Sequence, residues 1–339
     1  MSLRKMMFQK VKEINSEKLN KLAEDIAKRN NKSVSYVKRD MFNNFVKYGI
    51  GYTDYLKGDY VNLTKEQKKT YVTTKSYYKL LSYLNDKEYI ATMSDKIVFN
   101  KIFNKYLGRE WIDLRVTSLE DFKKFIKNKK TIFAKPPTDF GGHGIEKIVI
   151  KEEKNIEDLY NRLKEKKLNL IEEEIVQHEE LNKLNPYAVN SFRIVTLVKD
   201  NKAYLLANAL RINIDDAIAI GCSDAYMRLD EKGNICSRVI DDVANIYEEH
   251  PIAKIKFSTV KIPYVKEAFD MALKAALEVP EIRYVGWDIA ITKNGPVIME
   301  GNEYPSYGLV QYYLFNDEHE GHLKQIADIL GDEMNNIKL

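Results

Sequence analysis

Asp288, Glu300 and Asn302 are the residues whose types and spacing most clearly suggest chemistry. They lie on two apolar runs separated by Asn294-Gly295, a strong β-turn pair. A loop of Lys293 to Gly295 would set Asp288 directly opposite Glu300, and strand alternation would put Asn302 on the same face as Glu300. In that register Ile289, Ile291, Val297 and Met299 fill one face, while Ala290 and Ile298 lie beside the acids on the other. Two carboxylates facing each other destabilise a sheet. Burying them between apolar neighbours requires a proton or a bridging cation. Two acids and an amide offer only oxygen donors, which suit Mg²⁺ rather than zinc. The alternative, an exposed sheet edge, fits poorly with such apolar neighbours.

A second group suggests phosphate binding. Ile132 to Lys135 reads as a strand ending in lysine, followed by a loop containing Gly141, Gly142 and Gly144. Lysine at a strand end can reach a phosphate, and glycines let backbone N–H groups approach phosphate oxygens. A plain hairpin loop would look much the same. The pattern is not GxxxxGK[ST], so it is no Walker A loop. Asp139-Phe140-Gly141 spells DFG, but no HRD precedes it and the glycines follow the lysine, which excludes a protein kinase. No GxGxxG follows an N-terminal strand, so a dinucleotide fold is not expected. Arg193 and Arg211 sit inside apolar β runs, where arginine is paired or turned into a cleft. Glu173 to Glu180 is a strand end running into an acidic stretch, which alone would read as a solvated edge.

These residues need elements to hold them. Up to about Lys87 the apolar spacing is helical: Leu19, Leu22, Ala23 and Ile26, then Met41, Phe42, Phe45 and Val46, then Tyr77, Leu80, Leu81 and Leu84. From Thr131 strands mix with helices. Strands are expected over Thr131–Lys135, Ile145–Ile150, Leu170–Val176, Phe192–Val198, Ala203–Ile212, Tyr284–Thr292 and Pro296–Gly301. Helices are expected over Asn155–Lys166, Ile262–Leu277 and about His322–Leu330. Without a regular βαβ beat, the class is α+β.

The chain has 339 residues, 44% of them hydrophobic and 31% charged, which supports a sizeable core and excludes a disordered chain. No apolar run is long enough to span a membrane, and the first residues lack the features of a secretory signal. Cys222 and Cys236 form no CxxC pair and read as reduced thiols of a cytoplasmic protein. His319 and His322 lack the spacing of a zinc site. Net charge is +4, yet residues 1–90 carry 19 basic against 10 acidic residues. That segment either meets an anionic partner, such as a membrane surface or an acidic glycan, or simply paints helix surfaces with lysine.

Taken in order, these segments resemble the ATP-grasp superfamily. Ser94-Asp95-Lys96, Phe133-Ala-Lys135 with Gly141, Gly142 and Gly144, Glu173-Glu-Ile-Val176, Glu180 or Glu179, and Asp288 with Glu300 and Asn302 follow its motifs. The resemblance is closer to the sugar-transfer-associated ATP-grasp family, through Tyr48 to Tyr55, Val176-Gln-His, Leu184-Asn-Pro and Asn190 to Thr196. It implies an α+β ATP-grasp fold with ATP between two sheets, behind a helical N-terminal region. Residues 1–93 would be that region, 94–183 a nucleotide-binding lid and 184–339 the core bearing the metal hairpin.

The resemblance assigns Lys96 and Lys135 to phosphates, Glu173 to Val176 to adenine, Glu180 to ribose, and Asp288, Glu300 and Asn302 to two Mg²⁺ ions. Arg193 and Arg211 would stabilise charge in the reaction. D-alanine ligases carry an arginine where this chain has Gly286, so Arg193 or Arg211 would replace it. The implied activity is carboxylate–amine ligation through an acyl phosphate in polysaccharide or capsule synthesis, in the cytoplasm or at a membrane surface. Its partners would be a carboxylate and an amine or amino acid, with no nucleic acid. The alternatives are a kinase acting on a sugar hydroxyl and a non-catalytic ATP- or glycan-binding protein.

Overall fold

The computed structural model describes residues 16–138, 144–215, 224–315 and 319–337. Among the described residues five helices come first: α1 (Ser16–Arg29), α2 (Val34–Tyr48), α3 (Tyr52–Lys57), α4 (Lys65–Thr70) and α5 (Thr74–Leu84). Their starts are set by hydroxyl caps. Ser33 caps α2, and Thr64 and Thr73 form capping boxes with Gln67 and Ser76. Helix α2 buries Val37 and Met41, whereas Phe42 and Val46 are exposed. The expected Met41-Phe42-Phe45-Val46 stripe is therefore corrected: the buried side of α2 is set by Val37 and Met41, four residues apart.

Next come α6 (Ala91–Ser94) and α7 (Lys96–Leu107), then a four-stranded antiparallel sheet. It contains β1 (Trp111–Asp113), β2 (Thr131–Lys135), β3 (Glu146–Val149) and β4 (Leu170–Glu173), in the order β1-β4-β2-β3. Helices α8 (Leu119–Ile126) and α9 (Ile156–Glu165) supply Phe122, Leu159 and Leu163 to a core with Ile132, Ile148 and Ile171. Strand β4 stops at Glu173, short of the expected Val176, because the acidic run leaves the sheet there.

After α10 (Glu179–Leu184), the chain builds a seven-stranded antiparallel sheet. Its strands are β5 (Ser191–Lys199), β6 (Lys202–Asn213), β7 (Asp224–Met227), β8 (Val239–Asp241), β9 (Ile246–Tyr247), β10 (Tyr284–Thr292) and β11 (Gly295–Asn302). The order is β11-β10-β5-β6-β7-β8-β9. Asp200 and Asn201, both with left-handed φ, make the two-residue turn between β5 and β6. Helix α11 (Val265–Ala275) covers one face, packing Phe269 and Ala272 near Phe192 and Leu210. Phe99, Phe103 and Leu107 of α7 join this same core beside Trp287. Short α12 (Tyr307–Val310) and α13 (His322–Leu330) follow the hairpin. Two antiparallel sheets with helices between and around them make the α+β class.

Candidate functional site

The β10–β11 hairpin pairs Asp288 with Glu300 and Gly286 with Asn302, as expected. Its turn, however, is shorter than the expected Lys293 to Gly295. Gly295 already pairs with Thr292, so only Lys293 and Asn294 turn the chain. A β-bulge at Met299 absorbs the difference, because Ile298 pairs with Ile289 while Glu300 pairs with Asp288. The expected faces change accordingly. Ile298 joins Ile289 and Ile291 in the apolar core, and Met299 lines the cleft. Without this one extra residue the two acids would not face each other.

The three polar side chains converge. Asn302 Nδ2 lies 3.3 Å from Asp288 Oδ2 and 3.5 Å from Glu300 Oε1. Burial pushes the Asp288 carboxyl up, but the charge and hydrogen bonds of Arg193 outweigh it and hold it below its usual value. Burial and the negative charge of Asp288 push Glu300 above its usual value. The positive charges of Arg193 and Lys96 pull it down without overcoming this. This donor set fits a hard divalent cation: two converging acids and an amide whose oxygen reaches the same place by a half-turn of its plane.

Arg193, on the neighbouring strand β5, pairs in register with Asp288. Its Nε is 2.5 Å from Oδ1 and its second terminal nitrogen 2.8 Å from Oδ2, a bidentate fork. Gly286 makes room for it. A Cβ there would lie 2.6 Å from Pro305 Cβ, 3.2 Å from Arg193 Cδ and 3.4 Å from one of its terminal nitrogens. The space beside Gly286 is therefore filled by Arg193 and Pro305.

The small sheet faces this hairpin. Lys135, at the end of β2, places Nζ 2.5 Å from Glu172 Oε2. Glu172 is buried and also accepts from Asn100 Nδ2 at 3.0 Å and from Arg109 at 2.6 Å and 3.0 Å. Burial raises the Glu172 carboxyl, but the charges of Lys135 and Arg109 prevail and hold it at about 2. Arg109 also donates to the carbonyls of Ile298 at 2.8 Å and Met299 at 3.3 Å. It thereby ties the bulge of the large sheet to an acid of the small one. Lys96 opens α7, whose first turn is capped by Asp95. Lys96, Lys135, Glu172, Glu300 and Asn302 all line a single cleft.

A model of the sugar-transfer associated ATP-grasp family matches residues 74–319. The chain belongs to this family. No curated protein matches the sequence. Similar solved structures include the VanG D-Ala:D-Ser ligase from Enterococcus faecalis, at 14% identity and TM-score 0.44, covering 71% of this chain and 61% of that one. D-alanyl-alanine synthetase A from Vibrio cholerae is 15% identical with a TM-score of 0.43, covering 73% and 66%. The ATP-grasp ligase PsnB, complexed with minimal precursor, is 15% identical with a TM-score of 0.41 and covers 68% of this chain. The chain spans 60% of PsnB's length.

The other residues expected from the ATP-grasp motifs lie elsewhere. The Glu173 backbone N–H donates to the Glu110 carbonyl at 2.9 Å, and Lys129 Nζ is 3.7 Å from its carboxylate. Val176 is exposed, and Glu180 pairs with Lys183 at 2.5 Å. Arg211 does not join Asp288; it pairs with Asp224 and lies over the Tyr226 ring. Gly144 has a left-handed φ of 72°, whereas Gly141 and Gly142 lie outside the described residues. Sequence reasoning missed Asn100, Arg109 and Glu172. The available signal was Glu172 itself, an acid within the apolar run of β4, which raises the question of what pairs with it.

Proposed function

We propose that this chain is an ATP- and magnesium-dependent carboxylate–amine ligase that forms an amide through an acyl phosphate. The observation that carries this reading is one cleft bringing Lys96 and Lys135 together with Glu300 and Asn302. Two lysines neutralise a polyphosphate, and the paired acids offer a cation converging oxygens to share. Asp288, Glu300 and Asn302 would hold Mg²⁺, in one or two ions, beside that polyphosphate. When bound, the ion supplies positive charge to the β- and γ-phosphate oxygens.

The remaining work falls to positioning. Lys96 and Lys135 orient the phosphates, with Lys135 held by Glu172. A substrate carboxylate oxygen bonds to the γ-phosphorus as the bond to the ADP oxygen breaks. The amine nitrogen then attacks the acyl carbon, phosphate leaves, and the nitrogen loses its proton. Arg193, anchored by Asp288, would stabilise the acyl phosphate and the oxyanion that follows. Arg211 is a second candidate, farther along the same strand pair. Adenine would meet the backbone near Glu173 to Val176, and ribose would meet Glu180. The family is described as sugar-transfer associated, and the setting we propose is cell-surface polysaccharide synthesis, with an amino acid or amine joined to a uronic acid. Among the described residues no helix is long and apolar enough to cross a membrane.

The test is ADP formation over a panel of uronic acids and amino acids. Asp288→Asn and Glu300→Gln each lower it at least about 100-fold while leaving the fold intact. Turnover at the wild-type rate in both variants rules out the metal assignment. Free phosphate appearing with ADP identifies ligation; phosphate retained on a sugar product identifies a kinase instead.

A further inference from the structure

The segment that leaves the hairpin is pinned from outside it. Strand β11 ends at Asn302, and Glu303 to Ser306 lead into α12. Residues 54–85 supply these pins. Asn85, just past α5, donates from Nδ2 to the carbonyls of Tyr284 and Glu303, both at 2.9 Å. The Tyr77 hydroxyl donates to the Pro305 carbonyl at 2.6 Å. The Tyr307 hydroxyl lies 2.7 Å from Thr74 Oγ1 and 2.8 Å from Asp54 Oδ2. A carboxylate only accepts, so the phenol proton goes to Asp54 and the Thr74 hydroxyl donates to the phenol oxygen. The Tyr77 and Tyr307 rings pack 4.7 Å apart. A Cβ on Gly308 would stand 2.9 Å from Asp54 Oδ1, so the acid sits in a notch that glycine leaves open.

The pinned segment in turn touches the site. Pro305 occupies the space beside Gly286, next to Arg193 Cδ, and Gly286 pairs with Asn302. Moving Pro305 therefore moves the room available to Arg193 and the strand end that bears Asn302. Residues 54 and 74–85 reach this loop across more than two hundred positions of sequence. Such a contact adds nothing to the chemistry directly; its effect is to fix where the ligands stand.

We propose that Tyr307, held by Asp54 and Thr74, is a positioning residue for the magnesium–nucleotide site, through which the N-terminal helices set the places of Asn302 and Arg193. This rests on the nucleotide reading above. The measurement is ADP binding to the full chain across a magnesium titration, with amide hydrogen exchange over residues 300–308. Tyr307→Phe keeps the ring against Tyr77 and removes only the bridging hydroxyl. It raises the half-saturating magnesium concentration about 10-fold. ADP binding without magnesium stays at the wild-type level, and exchange over residues 300–308 quickens. Asp54→Ala does the same, while Asp54→Asn, which keeps an acceptor oxygen, shows a smaller shift and carries the test should Tyr307→Phe fail to fold. Wild-type magnesium dependence in Tyr307→Phe and Asp54→Ala overturns the proposal while leaving the nucleotide reading intact. An equal loss of ADP binding with and without magnesium also overturns it, as that marks a general loss of structure. A wild-type protein that binds no ADP at any magnesium concentration overturns the nucleotide reading, and the positioning role falls with it.

Discussion

Glu172 concentrates the electrostatics of the small sheet in one carboxylate. It is buried, yet Lys135, Arg109 and Asn100 satisfy it so well that its carboxyl drops from 4.5 to about 2. A depressed carboxylate contributes stability that is fully present above its unfolded value and lost as pH falls through the folded one. The resistance of the wild type to urea should therefore fall as the pH drops from 4.5 to about 2. Glu172→Gln should flatten that part of the profile. It should also cost about 3–5 kcal/mol at neutral pH, because it leaves buried Arg109 without its counter-charge. Arg193→Lys probes the other side of the cleft. An ammonium cannot reproduce the bidentate fork on Asp288, so ADP formation should fall by about 10-fold or more. Unchanged kcat in that variant would remove Arg193 from the reaction.

At the scale of elements, the decisive device is the bulge in β11. The short Lys293–Asn294 turn would place Met299 opposite Asp288; the bulge lets Glu300 take that place. Bulging frees backbone carbonyls from the ladder, and Arg109 collects those of Ile298 and Met299 while holding Glu172. One side chain thus fixes the spacing between the sheet carrying Lys135 and the hairpin carrying the acids. Gly286 is the complementary device on β10. Gly286→Ala should be destabilising by about 1–3 kcal/mol, since the added methyl meets the Pro305 ring and the Arg193 stem. ADP formation should fall with it, and a thermal melt beside an activity assay checks both. A fully active, equally stable Gly286→Ala protein would show that Pro305 and Arg193 can retreat without cost.

Across the whole molecule, the N-terminal helices are part of the core. Residues before Thr74 lie outside the family match, yet Ala23, Ile26, Val37, Met41 and Tyr55 share one apolar cluster with Tyr226, Ile240, Tyr312 and Phe315. Lys57 pairs with Asp242 at 2.8 Å, and Arg29 donates to the Val243 carbonyl at 2.9 Å. Tyr55 is 1% exposed. Tyr55→Ala should therefore cost about 3–5 kcal/mol, as for a large aromatic removed from a core. Chemical denaturation followed by tryptophan fluorescence and by far-UV circular dichroism should give coincident curves for the wild type. Separate transitions would mean that the helices fold apart from the sheets.

Much of this was legible in the chain itself. The strands Thr131–Lys135 and Tyr284–Thr292 and the helix His322–Leu330 have the limits that their apolar periods suggest, because local pattern and tertiary burial agree there. The facing of Asp288 and Glu300 was expected from a Lys293–Gly295 loop and strand alternation, but with the actual two-residue turn it is the bulge that brings it about. The bulge was not legible, for it depends on Arg109 donating to the carbonyls it exposes. Nor could sequence separate Glu172 from Glu173, neighbours of the same type: only the sheet decides which one turns inward to Arg109 and Lys135. The choice of Arg193 over Arg211 as the partner of Asp288 was likewise made by strand order, which puts β5 beside β10 and leaves Arg211 to Asp224. Sequence determined which groups needed partners; the packing of distant strands and helices decided which partners they found, because burial and charge pairing act between residues that the chain brings together only when folded.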